Sequence, residues 1–311
     1  MKNYFSFHLT GKKFLPLWIG FLVFAIVPYA LLYLNIKEIK IIEGSTGAIF
    51  IFLLVLLMII AIIVFGFYMI ELLIENIGYK DKIVDFTGTY KEFVRVILLG
   101  LLLSIITLGI YIPWFIRNIH RFIINNSSLN SSDFSFQGKG GRLFVIFLLA
   151  LIIPIFIITI LMFKQFHQDG EYGIESPNSF LNRLIMILIM IPFYYLINKW
   201  RVNINYKNYN ISWETNFWDA CGKIFLEVLL TAITFGLYYP LALLRLYKYF
   251  IERTVALSAE NKKRFGFDAD YLNDFLFLWG QILLTIITLG IYYPWALSKV
   301  GSRILGKTYL E

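Results

Sequence analysis

The chain has 311 residues, of which 59% are hydrophobic, 18% aromatic and 15% charged, and its mean hydropathy is +0.72. That is more apolar surface than a soluble core of this length hides, so the composition excludes an ordinary soluble domain and predicts a polytopic membrane protein. The net charge of +8 does not signal nucleic-acid binding, because the basic residues sit in short stretches between apolar runs, where they serve as topology signals and contacts for anionic lipid headgroups of the bilayer.

In chain order, Phe5-Ser-Phe7 and a polar turn through Gly11 and Lys12 lead into an apolar span from Phe14 to Asn35, with Pro28 placed to kink it. No A-x-A cleavage site follows the basic Lys2, Lys12 and Lys13, so no removable signal peptide is expected. A loop with Lys37, Glu38, Lys40 and Glu43 precedes an uncharged run from Ala48 to Ile70, long enough to cross about 30 Å of hydrocarbon. Glu71 and Glu75 then share one helix face. A second unit opens with Val84-Asp-Phe86-Thr-Gly88, passes Lys91 and Arg95, and continues after a break as the basic helix Phe115 to Phe122. A third opens with Phe134-Ser-Phe136-Gln-Gly138, crosses from Leu143 to Phe163, turns through an acidic loop from Asp169 to Glu175 and returns from Phe180 to Trp200, with Pro177 starting the return helix. A fourth opens at Ile211-Ser-Trp213 and leaves on Ala242 to Phe250, and a fifth opens at Phe265-Gly-Phe267 and ends near Thr308. The Phe-x-Phe openings alternate as strands do. Five of them could form a small cytoplasmic sheet or could bed their rings separately in the membrane interface, and the second is expected.

One motif recurs three times: Thr107, Gly109, Tyr111, Pro113 and Trp114; Thr234, Gly236, Tyr238 and Pro240; and Thr288, Gly290, Tyr292, Pro294 and Trp295. A Gly that tolerates positive φ, followed four residues later by a Pro without a backbone donor, breaks a helix. Its Thr and Tyr are expected to satisfy or shield the opened backbone. Pro113 and Pro240, Tyr79 and Tyr206, and Val84 and Ile211 are each 127 residues apart, and Pro294 follows Pro240 by 54. The chain is therefore expected to be an internal duplication. Half A is 1–133, with a long unit 5–83 and a short hairpin unit 84–133. Half B is 134–264, with a long unit 134–210 and a short hairpin unit 211–264. An extra short hairpin unit, 265–311, follows.

If each short unit crossed the membrane once, the basic residues would divide almost evenly between the two sides. If each turns back at its break, only Lys37, Lys40, Lys164 and Arg183 lie outside, against 24 of the 28 Lys and Arg residues on the side of both termini. The positive-inside bias prefers the second arrangement. The expected fold is an all-α polytopic membrane protein with four transmembrane helices, three membrane-embedded helical hairpins, parallel repeats, short cytoplasmic Phe-x-Phe strands and both termini cytoplasmic.

Several residues are candidates for chemistry. Arg117, Arg121, Arg245, Lys248, Lys299 and Arg303 follow the breaks closely, and form either a polar cavity for anions or lipid headgroups or a set of snorkelling side chains, with snorkelling the more common outcome. Glu227 is either a buried carboxylate able to carry a proton or the partner of Lys223 four residues earlier, and the pairing is favoured. Cys221 is the lone cysteine, which excludes an intrachain disulfide, and His8, His120 and His167 match no metal-ligand spacing. With no phosphate loop, H-E-x-x-H, Ser-His-Asp set or paired carboxylates in view, no catalytic residue, cofactor or metal is expected and the enzyme class is disfavoured.

The run Leu-Thr-x-Ile-Thr-Leu-Gly-Ile-Tyr-x-Pro-Trp from Leu284 to Trp295, and Phe-x-Phe-x-Gly from Phe134 to Gly138, resemble the YjgN family of bacterial inner-membrane proteins, a domain of unknown function (DUF898). Leu241 departs from the pattern by standing where Trp is usual. The resemblance implies an inner-membrane location, a repeat architecture and, through membrane metallopeptidases encoded beside family members, a protein partner. It implies no catalytic or binding residue. Two functions remain open: handling of a small solute or lipid through a polar cavity between the repeat halves, which is slightly preferred, and a non-enzymatic scaffold or regulator docking another membrane protein such as a metallopeptidase. The oligomeric state is not encoded legibly.

Overall fold

The computed structural model describes residues 2–38, 45–160 and 178–311. Lys40, Glu43, Lys164, His167, the acidic loop from Asp169 to Glu175 and Pro177 lie outside the described residues.

The chain begins with strand β1 (Asn3–Phe7) and helix α1 (Gly11–Phe21), which widens into a π-helical segment (Leu22–Ile26) and continues as α2 (Val27–Glu38). The long helix α3 (Ser45–Ile74) leads to β2 (Ile77–Tyr79) and β3 (Lys82–Phe86). Helices α4 (Tyr90–Ile106) and α5 (Ile112–Asn125) form an antiparallel pair before β4 (Ser127–Leu129) and β5 (Ser132–Phe136). Next come α6 (Gly140–Phe147), a second π segment (Leu148–Ile152), α7 (153–160) and α8 (Asn178–Arg201), then β6 (Ile204–Tyr206) and β7 (Tyr209–Trp213). The pair α9 (Phe217–Ile233) and α10 (Tyr239–Ile251) leads to β8 (Thr254–Leu257) and β9 (Lys262–Phe267). The pair α11 (Tyr271–Ile287) and α12 (Tyr293–Leu305) precedes β10 (Thr308–Leu310). Each π segment ends two residues before a proline, Pro28 or Pro154, whose missing donor and bulky ring disturb the preceding turn.

The ten strands close into one antiparallel barrel in the order β1-β10-β9-β8-β7-β6-β5-β4-β3-β2. Register pairs Phe5 with Tyr79, Phe86 with Ser127, Phe134 with Tyr206 and Trp213 with Thr254. The turns joining β2 to β3 and β4 to β5 place Lys80, Asp81, Asn130 and Ser131 at φ of 50 to 59°, the left-handed geometry that matches strand twist in a two-residue hairpin. Closure leaves no unpaired strand edge.

The barrel overturns the expected all-α class and, with it, the expectation that the Phe-x-Phe openings bed separately in the interface. Their partners are the short segments that follow each helical excursion, Ile77–Tyr79 for β1 and Ile204–Tyr206 for β5, and backbone pairing satisfies polar groups that would otherwise need water. The count of four transmembrane helices and three membrane-embedded hairpins is corrected as well. Among the described residues three helical stretches are long and apolar enough to cross a membrane: Gly11–Tyr33, Ile49–Ile74 and Gly140–Ile160. Few residues of the second are buried, and Phe52 is 65% exposed, which suits hydrocarbon rather than a protein core.

The fold divides into two compact units. In the first (Met1–Leu98, Asn126–Asp133 and Leu272–Tyr309), Phe14, Ala61, Phe67 and Phe93 are buried, and Phe14, Trp18 and Tyr293 meet in an aromatic cluster. In the second (Leu99–Asn125, Phe134–Tyr271 and Leu310–Glu311), one cluster gathers Phe136, Leu143, Ile146, Ile197 and Trp200, and another Ile191, Tyr195, Ala220, Ile224 and Phe250.

Candidate functional site

The three Thr-x-Gly-x-Tyr-x-Pro motifs form the turns of the three short helical pairs, and their backbones agree closely. Leu108, Phe235 and Leu289 have φ of 49 to 51° and the glycines after them, Gly109, Gly236 and Gly290, have φ of 87 to 90°. Two successive left-handed residues end a helix, and the second is the one a side chain would strain. Each Thr hydroxyl donates to the carbonyl four residues back, at 2.7 to 2.8 Å, and accepts the backbone N–H of the Tyr four residues on, at 3.0 to 3.1 Å. The Thr thus caps the start of the second helix, and Pro113, Pro240 and Pro294 occupy its first turn, where no donor is missed.

The Tyr hydroxyls face back between the two helices of each pair. Tyr238 Oη donates to Glu227 Oε2 at 2.8 Å and accepts from Arg245 at 2.7 Å, while Lys223 Nζ donates to Glu227 Oε1 at 2.6 Å. Glu227 is fully buried, so these partners are what keep its charge tolerable there. In the third pair Tyr292 Oη donates to Gln281 Oε1 at 3.1 Å and accepts from Lys299 Nζ at 2.8 Å. In the first pair Tyr111 Oη accepts from Asn118 Nδ2 at 3.2 Å, and Arg117 donates to Asn118 Oδ1 at 3.2 Å. The residue matching Arg245 and Lys299 is therefore Asn118, not Arg117, whose Nε is buried without a hydrogen-bond partner. Where the other pairs hold Glu227 or Gln281, the first has Gly100, and Phe115 fills the space: a Cβ on Gly100 would lie 1.9 Å from its ring. The residues at the Phe115 position of the other two pairs, by the repeat spacing, are the buried Ala242 and Ala296.

Trp114 and Trp295 pack against Gly140 and Gly11, where an added Cβ would come within 2.5 Å of the indole. Both glycines open a long helical segment. The pair carrying Leu241 is followed by another short pair, so no such glycine needs covering after it. Of the remaining candidates, Arg121 is exposed, Lys248 lies 3.7 Å from Glu252 and over the Tyr271 ring, and Arg303 Nε meets Asp274 Oδ1 at 2.6 Å. Asp274, which sequence reasoning missed, is 1% exposed and is also held by Lys307 at 2.5 Å. Its signal was a lone acid in the first turn of an apolar helix, followed by two cations four residues apart, Arg303 in the last turn of the next helix and Lys307 just past its end. His120 packs against both Phe136 and Trp200, which also touch each other, and burial, reinforced by the charge of Arg201, lowers its pKa to about 4.

Glu227 and Arg245, Tyr292 and Lys299, and Arg303 come together with their partners within their own helical pairs, whereas Arg121 and Lys248 do not, and a cavity of about 410 Å³ in the second unit is lined by others: Gln137, Lys139, Arg142, Lys199, Trp200 and Trp213 among them. Among the described residues no three His, Cys, Asp or Glu side chains gather to hold a metal.

The chain is 37% identical over 82 residues to inner membrane protein YjgN of Salmonella typhimurium, a match covering 26% of this chain and 20% of that protein. It is 38% identical over 60 residues to inner membrane protein YjgN of Escherichia coli K12, covering 19% and 15%. The chain thus spans a fifth or less of the length of these relatives, and no solved structure matches it. A family model described as bacterial protein of unknown function (DUF898) matches residues 2–266, most of the sequence, and the chain belongs to that family.

Proposed function

We propose that the chain is a multi-pass protein of the bacterial inner membrane, with both termini cytoplasmic, that acts as a non-enzymatic scaffold docking another membrane protein. The location is supported by the names of the relatives and by the three apolar helices. A common side for the termini is supported by the adjacency of β1 and β10, with Lys2 over the Tyr309 ring. The same sequence of strand, helical excursion and short strand supports an origin of 1–133 and 134–264 by duplication, with 265–311 added.

The observation that carries the scaffold reading is the fate of the cations. A conduit would need Arg245, Lys299 and Arg303 free to meet a solute, whereas each is engaged inside its own helical pair by Tyr238, Tyr292 and Asp274. Their role is then to fix the pairs, Arg245 and Arg303 from half-buried positions and Lys299 from an exposed one. The family resemblance makes a membrane metallopeptidase the first partner to try. A photo-crosslinking residue placed at Ile83 or Leu257, exposed positions on β3 and β8, is expected to trap one discrete membrane protein in cells, while the same residue at Phe52 traps none. Equal, diffuse labelling from all three positions rejects docking through the barrel. The second reading, passage of a solute or lipid, draws on the orphaned Nε of Arg117. It gains the lead if the protein in liposomes speeds lipid or solute exchange and Arg117→Gln abolishes that acceleration.

A further inference from the structure

We propose that the cavity between the start of α6, the end of α8 and strand β7 is a binding site for a phosphate-bearing anion. Lys139 and Arg142 enter from the α6 end, Lys199 from α8, and Gln137, Asn203 and Ser212 add neutral polar groups. Among the described residues no carboxylate lines it. The nearest acid in sequence, Glu214, is turned away and held by Lys262 at 2.5 to 2.6 Å. Lys199 Nζ is already anchored by Tyr195 Oη and the Thr215 carbonyl, both at 3.0 Å, which leaves one donor and holds its charge in place. Lys139 and Arg142 make no ion pair among the described residues, so two cations converge on one concavity with their charge unspent. Trp200 Nε1 donates to the Lys139 carbonyl at 3.1 Å and Trp213 stacks on Phe250, so the apolar wall is rigid. At about 410 Å³ the space holds a phosphate ester with part of its alcohol. Three cations with a planar guanidinium among them suit a phosphate oxyanion better than a halide.

This concentration of charge is not a general property of helix starts in the chain. The residues at the matching positions of the first long segment are Thr10, Lys13 and Leu72, which supply one cation in place of three. The source of the phosphate is either a lipid headgroup or a free phosphate ester, and two arms separate them. The protein purified in neutral detergent is titrated with inorganic phosphate and, separately, with phosphatidylglycerol against phosphatidylcholine, and bound species are counted by native mass spectrometry. Lys139→Gln with Arg142→Gln, both exposed and away from the apolar clusters, is compared throughout. Loss of two charge-assisted contacts should weaken binding at least tenfold. A tenfold loss in the lipid arm identifies a headgroup site, and a tenfold loss in the phosphate arm identifies a free ester site. Binding of both probes that is unchanged in the variant, or absent from the wild type, overturns the proposal. The result stands apart from the docking experiment, because neither arm requires a protein partner.

Discussion

Replacing Glu227 tests whether the polar centre of the second helical pair is a structural clamp or a carboxylate kept for its charge. Glu227→Leu removes the acceptor for Tyr238 Oη and Lys223 Nζ and leaves Arg245 bound to a hydroxyl that has lost its own partner. Hydrogen bonds to charged groups contribute about 1.5–3 kcal/mol each, and Lys223 recovers part of its loss through water, so the cost comes to about 3 kcal/mol. Glu227→Gln should be far milder, about 1 kcal/mol, because it rebuilds the arrangement of the third pair, in which Gln281, Tyr292 and Lys299 make the same chain of contacts without an acid. Thermal unfolding in detergent micelles, followed by intrinsic fluorescence, should rank wild type, Glu227→Gln and Glu227→Leu in that order with a wide gap before the last. If the Gln variant unfolds as early as the Leu variant, the negative charge itself is required and the clamp account fails.

Three further outcomes follow from the same geometry. Gly100→Ala forces a methyl to 1.9 Å from the Phe115 ring and should cost about 1–3 kcal/mol, and Phe115→Ala in the same chain should return most of that, since Ala242 and Ala296 stand there in the other pairs; unfolding of the single and double variants decides it. Asp274→Ala should cost about 3–5 kcal/mol by stranding Arg303 and Lys307, whereas Asp274→Asn keeps one acceptor and should lose less on the same scale. His120 has a folded-state pKa lowered from 6.5 to about 4, so its neutral form is the one the fold accepts: its contribution is complete above pH 6.5 and is lost as the pH falls through about 4. A pH series of unfolding midpoints for the wild type and His120→Leu should therefore diverge only below pH 6.5.

What could be read from the sequence was whatever short-range chemistry decides. The turn at each break follows from Gly109, Gly236 and Gly290 at positive φ and from Thr hydroxyls four residues before the Tyr N–H they cap, and the Glu227 pairing with Lys223 follows from helical spacing. The barrel does not follow from such signals. Ile77–Tyr79, Ser127–Leu129 and Ile204–Tyr206 are three residues each, too short for alternation to declare itself, and the turns Lys80-Asp81 and Asn130-Ser131 lack the glycine that marks a two-residue hairpin. Closure depends on β1 meeting β10 across nearly the whole chain, a pairing no local window contains. The cavity was hidden for the same reason. Lys139 and Lys199 are 60 residues apart, and each alone looks like a positive charge at a helix end.

The three short pairs also say where function should be sought. Their constant parts, the Thr cap, the left-handed glycine, the Pro in the first turn and the Tyr hydroxyl, all have structural partners inside the pair. Their variable parts trade volume against polarity at one level: Gly100 with Phe115, Gln281 with Ala296 and Glu227 with Ala242, matched by Asn118, Lys299 and Arg245 across from the Tyr. A bulky ring replaces a buried acceptor, and the cation disappears along with the acceptor it would have balanced, as the cost of an uncompensated buried charge requires. Because the Tyr hydroxyl keeps a hydrogen-bond partner inside its pair whether the position before the break is an acid, an amide or a glycine, the recurring motif is a device for making a stable helical pair. Groups left over once that device is complete, the Nε of Arg117 and, at their cavity, Lys139 and Arg142 with no ion pair among the described residues, are the ones whose presence the fold alone does not explain.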